Sequence, residues 1–176
     1  MSRDLGNKRA RIPLPGGLEK SRKALDTLGL QEQTQALELA MNRAAEAAVP
    51  KAKTLLVEAV KSMSVQDAKQ ILTGGETSAT DYFRKATRKP LTEKFLPIVR
   101  VATAKIGLAA QYNAIGGKAV QLGLIGKEQG NIEEYVTQKA LDGLFLMIGD
   151  EEKKIRRNPV GQASTLLQKV FGALTK

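Results

Sequence analysis

The sequence predicts an all-α, single-domain protein, and three observations support this prediction. Apolar residues recur at three- and four-residue spacing along most of the 176-residue chain, and no stretch shows the alternation typical of a strand. Cap residues and helix breakers fall at the ends of these periodic stretches. Hydrophobic residues make up 42% of the chain, which is enough to bury a core. We therefore expect a bundle of roughly seven to nine helices.

The longest helical pattern, Ile132 to Arg157, is expected to form the centre of the bundle. Its middle, Ala140 to Gly149, is apolar on nearly every side except at Asp142. A helix that is apolar all round is usually enclosed by other helices. Asn131 is a suitable N-cap. The Asn158-Pro159 pair is expected to end the helix, because a residue before proline avoids the α region.

The N-terminal part of the chain leads into the first helices. Residues 1–11 are polar and basic and are expected to form a flexible arm before the helical domain, residues 12–176. Pro13 and Pro15 predict an extended lead-in to a first helix, which Gly29 ends. A second helix is expected from Gln31 to Val49, and Pro50 is expected to begin a third.

Two capping boxes predict the next helix starts. Ser64 to Asp67 would begin a short helix that ends at Thr73-Gly74-Gly75, and Ser78 to Asp81 would begin a helix running towards Arg88. Since one helix must stop and another start within a few residues, Gly74 or Gly75 is expected to have a positive φ.

The second half of the chain contains more breakers. Pro90 is expected to open a helix that runs to Ile106, with a kink or break at Pro97. Gly116 to Gly130 contains five glycines and predicts an irregular connection. A closing helix is expected from Gln162 to Leu174. Its inward-facing side chains would be Leu166, Leu167, Val170 and Phe171.

Histidine and cysteine are absent from the chain. Their absence excludes the usual ligands of zinc, haem and iron–sulfur clusters, together with disulfides, cysteine nucleophiles and triads that need a histidine base. A carboxylate-only site for Mg²⁺ or Ca²⁺ stays open. The sequence shows no paired-carboxylate motif that would build such a site, so we predict no catalytic residue, no metal ligand and no cofactor.

The formal net charge is +10, which favours nucleic acid, anionic lipid or acidic proteins as partners. No apolar run approaches the ~20 residues of a membrane span. The first residues, MSRDLGNKRAR, contain no apolar signal core. The chain is therefore either not exported or begins after a removed targeting segment.

Three stretches of the chain resemble a bacterial family known as domain of unknown function 4197. They are RIPLPGGLEKSRKALDTLGL, the segment from LELAMNRAAEAAVPK to TEKFLPIVR, and KALDGLFLMIGDEEKKIRRNP. The most specific parts are LTGG with YFR, and ALDGLF with EEKKIR. The resemblance implies an α-helical protein whose relatives often carry an export or lipoprotein signal, and hence a periplasmic or envelope location. It implies no activity and no catalytic residues.

The first candidate site is a basic run at residues 84–105, which contains seven cations and one anion. Arg84 and Arg88 are one turn apart and share a helix face, as do Lys85 and Lys89. Together with Lys94, these side chains are expected to be exposed and are candidates for binding phosphates or anionic lipid. The simpler interpretation is a solvated surface. No aromatic residues alternate with the cations, so nucleic acid is less favoured.

The second candidate is the loop formed by Thr73, Gly74 and Gly75. Its backbone N–H groups, and the N-terminus of the helix that follows, would attract an anion. The loop lacks the pattern of a P-loop. The simpler interpretation is therefore a helix stop followed by a capped helix start.

The third candidate is Asp142. In an enclosed helix its carboxylate would need a partner, because an isolated buried charge is too costly. The favoured interpretation is a buried structural pair with Arg43, with Arg100 as the second choice. A general acid or base, or an ion ligand, is the alternative.

These observations favour a non-enzymatic binding protein whose partner is an anionic or amphipathic ligand, either a lipid or an acidic protein surface. A cavity between the helices would provide a further lipid site, but a filled core is the favoured interpretation. The alternatives are a nucleic-acid-binding protein and an enzyme that uses carboxylates with a divalent ion.

Overall fold

Seven α-helices and one 3₁₀-helix make up most of the computed structural model, which describes residues 11–158. The α-helices are α1 (Gly16–Lys20), α2 (Arg22–Thr27), α3 (Gln31–Lys61), α4 (Val65–Thr73), α5 (Ser78–Thr103), α6 (Gly107–Gln121) and α7 (Ile132–Arg157), and the 3₁₀-helix spans Lys127–Gln129. Residues 11–158 contain no strand, and the predicted all-α class is confirmed. The predicted closing helix at 162–174 and nearly all of the predicted arm at 1–11 lie outside the described residues.

The core forms where α5 packs between α3 and α7. The hydroxyl of Tyr82, near the start of α5, contacts the carbonyl of Ala59 near the end of α3, and Thr80 contacts Glu152 near the end of α7. Helix α5 is therefore antiparallel to both. Fully buried side chains line the three helices: Leu37, Met41, Leu91, Val99, Val136, Leu141 and Phe145. Each contributes roughly 1.5–3 kcal/mol through burial.

The segment at residues 11–15 has no regular secondary structure and lies against α3 and α7 as a strap. Ile12 and Leu14 are buried. The side chain of Asn42 accepts a hydrogen bond from the N–H of Ile12 at 2.9 Å and donates to its carbonyl at 3.1 Å. The hydroxyl of Tyr135 donates to the carbonyl of Pro13 at 3.1 Å. The strap is thus fixed to two of the three core helices.

Prolines 50, 90 and 97 lie inside helices, so the prediction that Pro50 and Pro90 begin new helices is wrong. A proline in a helix interior removes one hydrogen bond and costs about 3 kcal/mol. The carbonyls that lose a partner belong to residues that are exposed, so water can satisfy them: Glu46, Ala86 and Glu93. Buried residues on both sides of each proline hold the helices on the core.

Helix α6 extends to Gln121, so the first part of the predicted irregular connection at 116–130 is helical. The chain turns after it, with Gly123 in the left-handed region at φ 70°. A Cβ added to Gly116 would lie 2.3 Å from the carbonyl oxygen of Gly130. Two backbones therefore cross here at a distance that only glycine allows.

Helix α7 is only partly enclosed, so the prediction that other helices surround it is wrong. Its buried residues, including Val136, Leu141 and Phe145, follow one stripe, while Lys139 and Asp142 are exposed. Helix α5, which packs on both α3 and α7, takes the more central position. None of the helices in the described range combines the length and apolar character needed to cross a bilayer.

Candidate functional site

The cations of the predicted basic segment lie along α5. Arg84, Lys85, Lys89 and Lys94 are exposed, and Arg88 is half-buried. Arg84 and Arg88 reach α7, whereas Lys85 lines a groove beside α4. Lys89 and Lys94 are five residues apart, which places them about 140° apart around the helix. The segment therefore divides into a pair that faces α7 and separate lysines that face solvent.

A groove of about 550 Å³ lies where α5, α7 and the strap meet. Three cations line it: Arg84 from α5, Lys139 from α7 and Arg11 from the strap. The apolar side chains of Ile12, Pro13 and Leu146, together with Asp142 and Gly143, complete the lining. Cationic and apolar groups therefore share one concave surface, which we call the basic groove.

Arg84 and Lys139 are each held over an aromatic ring. The Cζ atom of Arg84 lies 5.4 Å from the ring centroid of Phe145, and the Nζ atom of Lys139 lies 5.8 Å from that of Tyr135. Both distances fit cation–π attraction. Among residues 11–158 neither side chain forms an ion pair with a carboxylate. Both cations are thus positioned yet retain charge for a ligand.

Lys139 was not among the residues predicted from the sequence to form a site. It lies on the stripe of α7 that was expected to be covered by other helices. The sequence does contain a local indication of its role. Tyr135 and Lys139 are four residues apart, so their side chains meet on one face of the helix.

Asp142 forms an ion pair with Arg88, and the predicted buried pair with Arg43 is wrong. The Nη1 atom of Arg88 lies 3.0 Å from Oδ1 of Asp142, and Nη2 donates to the side-chain oxygen of Gln138 at 2.6 Å. The side chain of Asp142 is 51% exposed, and Arg43 is exposed on α3. Because α7 has an open stripe, this carboxylate keeps much of its hydration. The prediction of a cationic partner from another helix is confirmed, but that partner is Arg88 of α5.

The loop of Thr73, Gly74 and Gly75 lets two helices approach closely. Gly74 has a φ of −80°, and neither glycine has a positive φ, so that prediction is wrong. A Cβ added to Gly74 would lie 2.6 Å from the Cβ of Ser78 and 2.7 Å from the carbonyl oxygen of Gln70. The absence of a side chain at Gly74 therefore allows the last turn of α4 to meet the first turn of α5.

The N-terminus of α5 binds a carboxylate that the chain itself supplies. Glu152 of α7, which is 8% exposed, accepts hydrogen bonds from the N–H groups of Ala79 at 2.9 Å and Thr80 at 2.8 Å. It also accepts one from Oγ1 of Thr80 at 2.7 Å. The predicted capping box at Ser78 does not form, since the hydroxyl of Ser78 donates to the carbonyl of Ile71. A side chain from another helix thus satisfies the free N–H groups.

Arg156 completes the polar cluster around Glu152. Its Nη2 atom donates to Glu152 at 2.8 Å, to the carbonyl of Ile71 at 2.8 Å and to the hydroxyl of Ser78 at 2.6 Å. Burial raises the pKa of Glu152, but the hydrogen bonds from Thr80, Ala79 and Arg156 together outweigh burial and lower the pKa below its ordinary value. A carboxylate held ionised in this way joins helices and is poorly suited to proton transfer.

Acidic side chains in the described part of the chain do not gather into a group of three or more that could hold a metal ion. A search of curated proteins and one of solved structures each find no match. The family described as protein of unknown function (DUF4197) matches residues 4–172, which is nearly the whole chain. The resemblance seen in the sequence motifs is therefore confirmed, and the chain belongs to this family.

Proposed function

We propose that the protein is a non-enzymatic binding protein that takes an anionic lipid in the basic groove. The observation that carries the proposal is the pair of cations, Arg84 and Lys139, that have no carboxylate partner in residues 11–158 and lie beside the apolar side chains of Pro13 and Leu146. An anionic headgroup would accept hydrogen bonds from both cations. The start of an acyl chain would lie along the apolar side chains.

The other cations of α5 support this role from a distance. Arg88 is bound to Asp142 and Gln138, and it thereby fixes the side chain of Asp142, which lines the groove. Lys85, Lys89 and Lys94 are exposed and raise the local positive potential. Basic side chains near an anionic leaflet each contribute about 1 kcal/mol to attraction.

The dimensions of the groove favour a lipid over an acidic protein. Its volume of about 550 Å³ lies in the range of small-molecule sites, about 300–1,000 Å³. A stable protein partner would need a contact area on the order of 1,000 Å² or more. Nucleic acid is disfavoured by the aromatic rings, because the rings of Phe145 and Tyr135 already have cations over them and leave little face for base stacking.

The alternative of an enzyme that uses carboxylates with a divalent ion has no supporting site in residues 11–158. The most buried carboxylate, Glu152, is fully engaged by Thr80, Ala79 and Arg156. Asp142 is neutralised by Arg88. Neither side chain is free to bind Mg²⁺ or Ca²⁺ without breaking these contacts.

Co-sedimentation with vesicles tests the proposal. Vesicles of phosphatidylcholine with phosphatidylglycerol are compared with vesicles of phosphatidylcholine alone, at low and high salt and with excess duplex DNA. We expect binding to the anionic vesicles that weakens with salt and persists in the presence of DNA. Loss of vesicle binding to the DNA competitor would favour a nucleic-acid partner, and equal sedimentation with both kinds of vesicle would contradict the proposal.

A further inference from the structure

A second groove, of about 310 Å³, lies between α3, α5 and α7 and is apolar. Aliphatic and aromatic side chains from the three helices form its walls, including Val49, Leu56, Val57, Phe83, Leu144 and Ile148. Val49, Val57 and Val60 are 54%, 45% and 53% exposed. Large apolar side chains left open along one groove indicate a surface that binds an apolar group.

The size of the groove favours a slender ligand over a protein. Its volume lies at the lower end of small-molecule sites, about 300–1,000 Å³. Charged side chains also lie close to its walls: Glu58 and Lys61 follow Val57 and Val60 on α3, and both are exposed. A stable protein partner would need a contact area on the order of 1,000 Å² or more, so its contact would have to extend over these charges.

The length of the groove matches one acyl chain. On α3 its wall extends from Val49 to Val60, eleven residues apart, which is about 16 Å along a helix. An extended chain of single bonds advances about 1.2 Å per bond, as the polypeptide backbone does over the three bonds of each residue. About 13 bonds therefore span the groove, which corresponds to an acyl chain of roughly 12–14 carbon atoms.

Lys53 adds a positive charge to this apolar lining. It lies on α3, four residues from both Val49 and Val57, and therefore on the same face. No carboxylate in residues 11–158 forms an ion pair with Lys53. Long side chains on a helix lean towards its N-terminus, which directs the ammonium to the end of the groove formed by Val49. The stem of the lysine covers apolar surface while its charge stays available to a ligand.

We propose that this groove binds a free fatty acid, with the acyl chain along the valines of α3 and the carboxylate paired with Lys53. The site is distinct from the one proposed in the basic groove. Leu144 lines the apolar groove and Leu146 lines the basic groove, and two residues of separation place them about 160° apart around α7. The inference therefore stands independently of lipid binding in the basic groove.

Isothermal titration calorimetry with sodium dodecanoate, below its critical micelle concentration, tests the proposal. We expect saturable binding. Hexanoate should bind more than about 100-fold more weakly, because each methylene group removed from water adds to the affinity. Dodecyltrimethylammonium should also bind more weakly, because it keeps the chain and reverses the charge of the head. Absence of dodecanoate binding, or equal affinity for the cationic amphiphile, would overturn the proposal.

Matched substitutions locate the dodecanoate. Val57→Asp should weaken its binding more than about tenfold, because the acyl chain would contact a charge, whereas Val101→Asp at an exposed position on α5 should not. Lys53→Gln should weaken binding several-fold, and Lys51→Gln, the same change at an exposed position outside the groove, should have little effect. Val57 is half exposed and Lys53 is exposed, so both variants should stay folded, which circular dichroism verifies.

Two further results would overturn the proposal. Dodecanoate binding that is lost in Arg84→Glu with Lys139→Glu but kept in Val57→Asp would place the fatty acid in the basic groove. Sedimentation velocity distinguishes the remaining occupant, a second copy of the chain. A dimer that Val57→Asp dissociates would assign the apolar groove to that second copy.

Discussion

Glu152 accepts a hydrogen bond from the backbone N–H of Thr80 at 2.8 Å and so joins α7 to the first turn of α5 across 72 residues of sequence. Asp142, ten residues earlier on the same helix, makes a single ion pair at a half-exposed position. The two carboxylates differ in burial and in the number of donors that they satisfy. Their contributions to stability should differ accordingly.

Glu152→Ala is expected to lower the free energy of unfolding by about 3 kcal/mol, because it leaves Arg156 and the N–H groups of Ala79 and Thr80 without their acceptor. Asp142→Ala should cost less than about 1 kcal/mol, as exposed pairs do. Urea denaturation of both variants gives the comparison. Equal losses would contradict the role assigned to Glu152.

The lowered pKa of Glu152 predicts a loss of stability in acid. A carboxyl whose folded-state pKa lies below its unfolded value stabilises the fold fully above the unfolded pKa, and this contribution disappears as the pH falls through the folded pKa. The Tm of the wild type should therefore fall as the pH drops below the ordinary glutamate pKa of about 4.3. Glu152→Gln should show a smaller fall over the same range. Parallel curves for the two proteins would refute the assignment.

Two adjacent glycines provide a matched test of helix contact. Gly74→Ala is expected to cost about 1–3 kcal/mol, because the new methyl group would overlap Ser78 and the carbonyl of Gln70. Gly75→Ala places its methyl group where no atom lies within 4 Å, and should change stability little. Thermal denaturation of both variants measures this difference. A tolerated Gly74→Ala would show that α4 and α5 are free to separate.

Pro50 is expected to lower the stability of α3, because it lies in the interior of the helix. Pro50→Ala restores the hydrogen bond to the carbonyl of Glu46 and is expected to raise the free energy of unfolding by about 1–3 kcal/mol. Pro15, which lies before the first helical residue of α1, serves as the control, since Pro15→Ala restores no helical hydrogen bond. Destabilisation by Pro50→Ala would mean that the helix needs the bend imposed by proline.

The features predicted correctly from the sequence depend on neighbouring residues. Ser64 and Asp67 form the predicted capping box, and Asn131 caps α7 through the N–H of Glu134. Gly29 has the left-handed φ of 74° expected where a helix ends. Each of these interactions lies within a few residues of sequence, so spacing alone predicts it.

The features that were missed depend on residues far apart in sequence. The carboxylate that caps α5 comes from Glu152, and nothing within five residues of Ser78 indicates it. The helices continue through Pro50 and Pro90 because buried residues on both sides of each proline offset the free-energy cost of the lost backbone hydrogen bond. Lys139 and Arg84 share a groove only because α5 and α7 are antiparallel. Apolar content alone also placed α7 at the centre, a position that α5 occupies.

Vesicle affinity of two charge-reversal variants tests the proposed lipid site most directly. Arg84→Glu with Lys139→Glu removes the two cations of the basic groove that lack a carboxylate partner within residues 11–158. Lys118→Glu with Lys127→Glu makes the same change on α6 and the 3₁₀-helix. Both lower the net charge from +10 to +6. We expect the first to weaken binding to phosphatidylglycerol vesicles more than about tenfold, and the second by a few-fold at most. Equal weakening by both, with helical circular dichroism unchanged, would contradict a site in the basic groove.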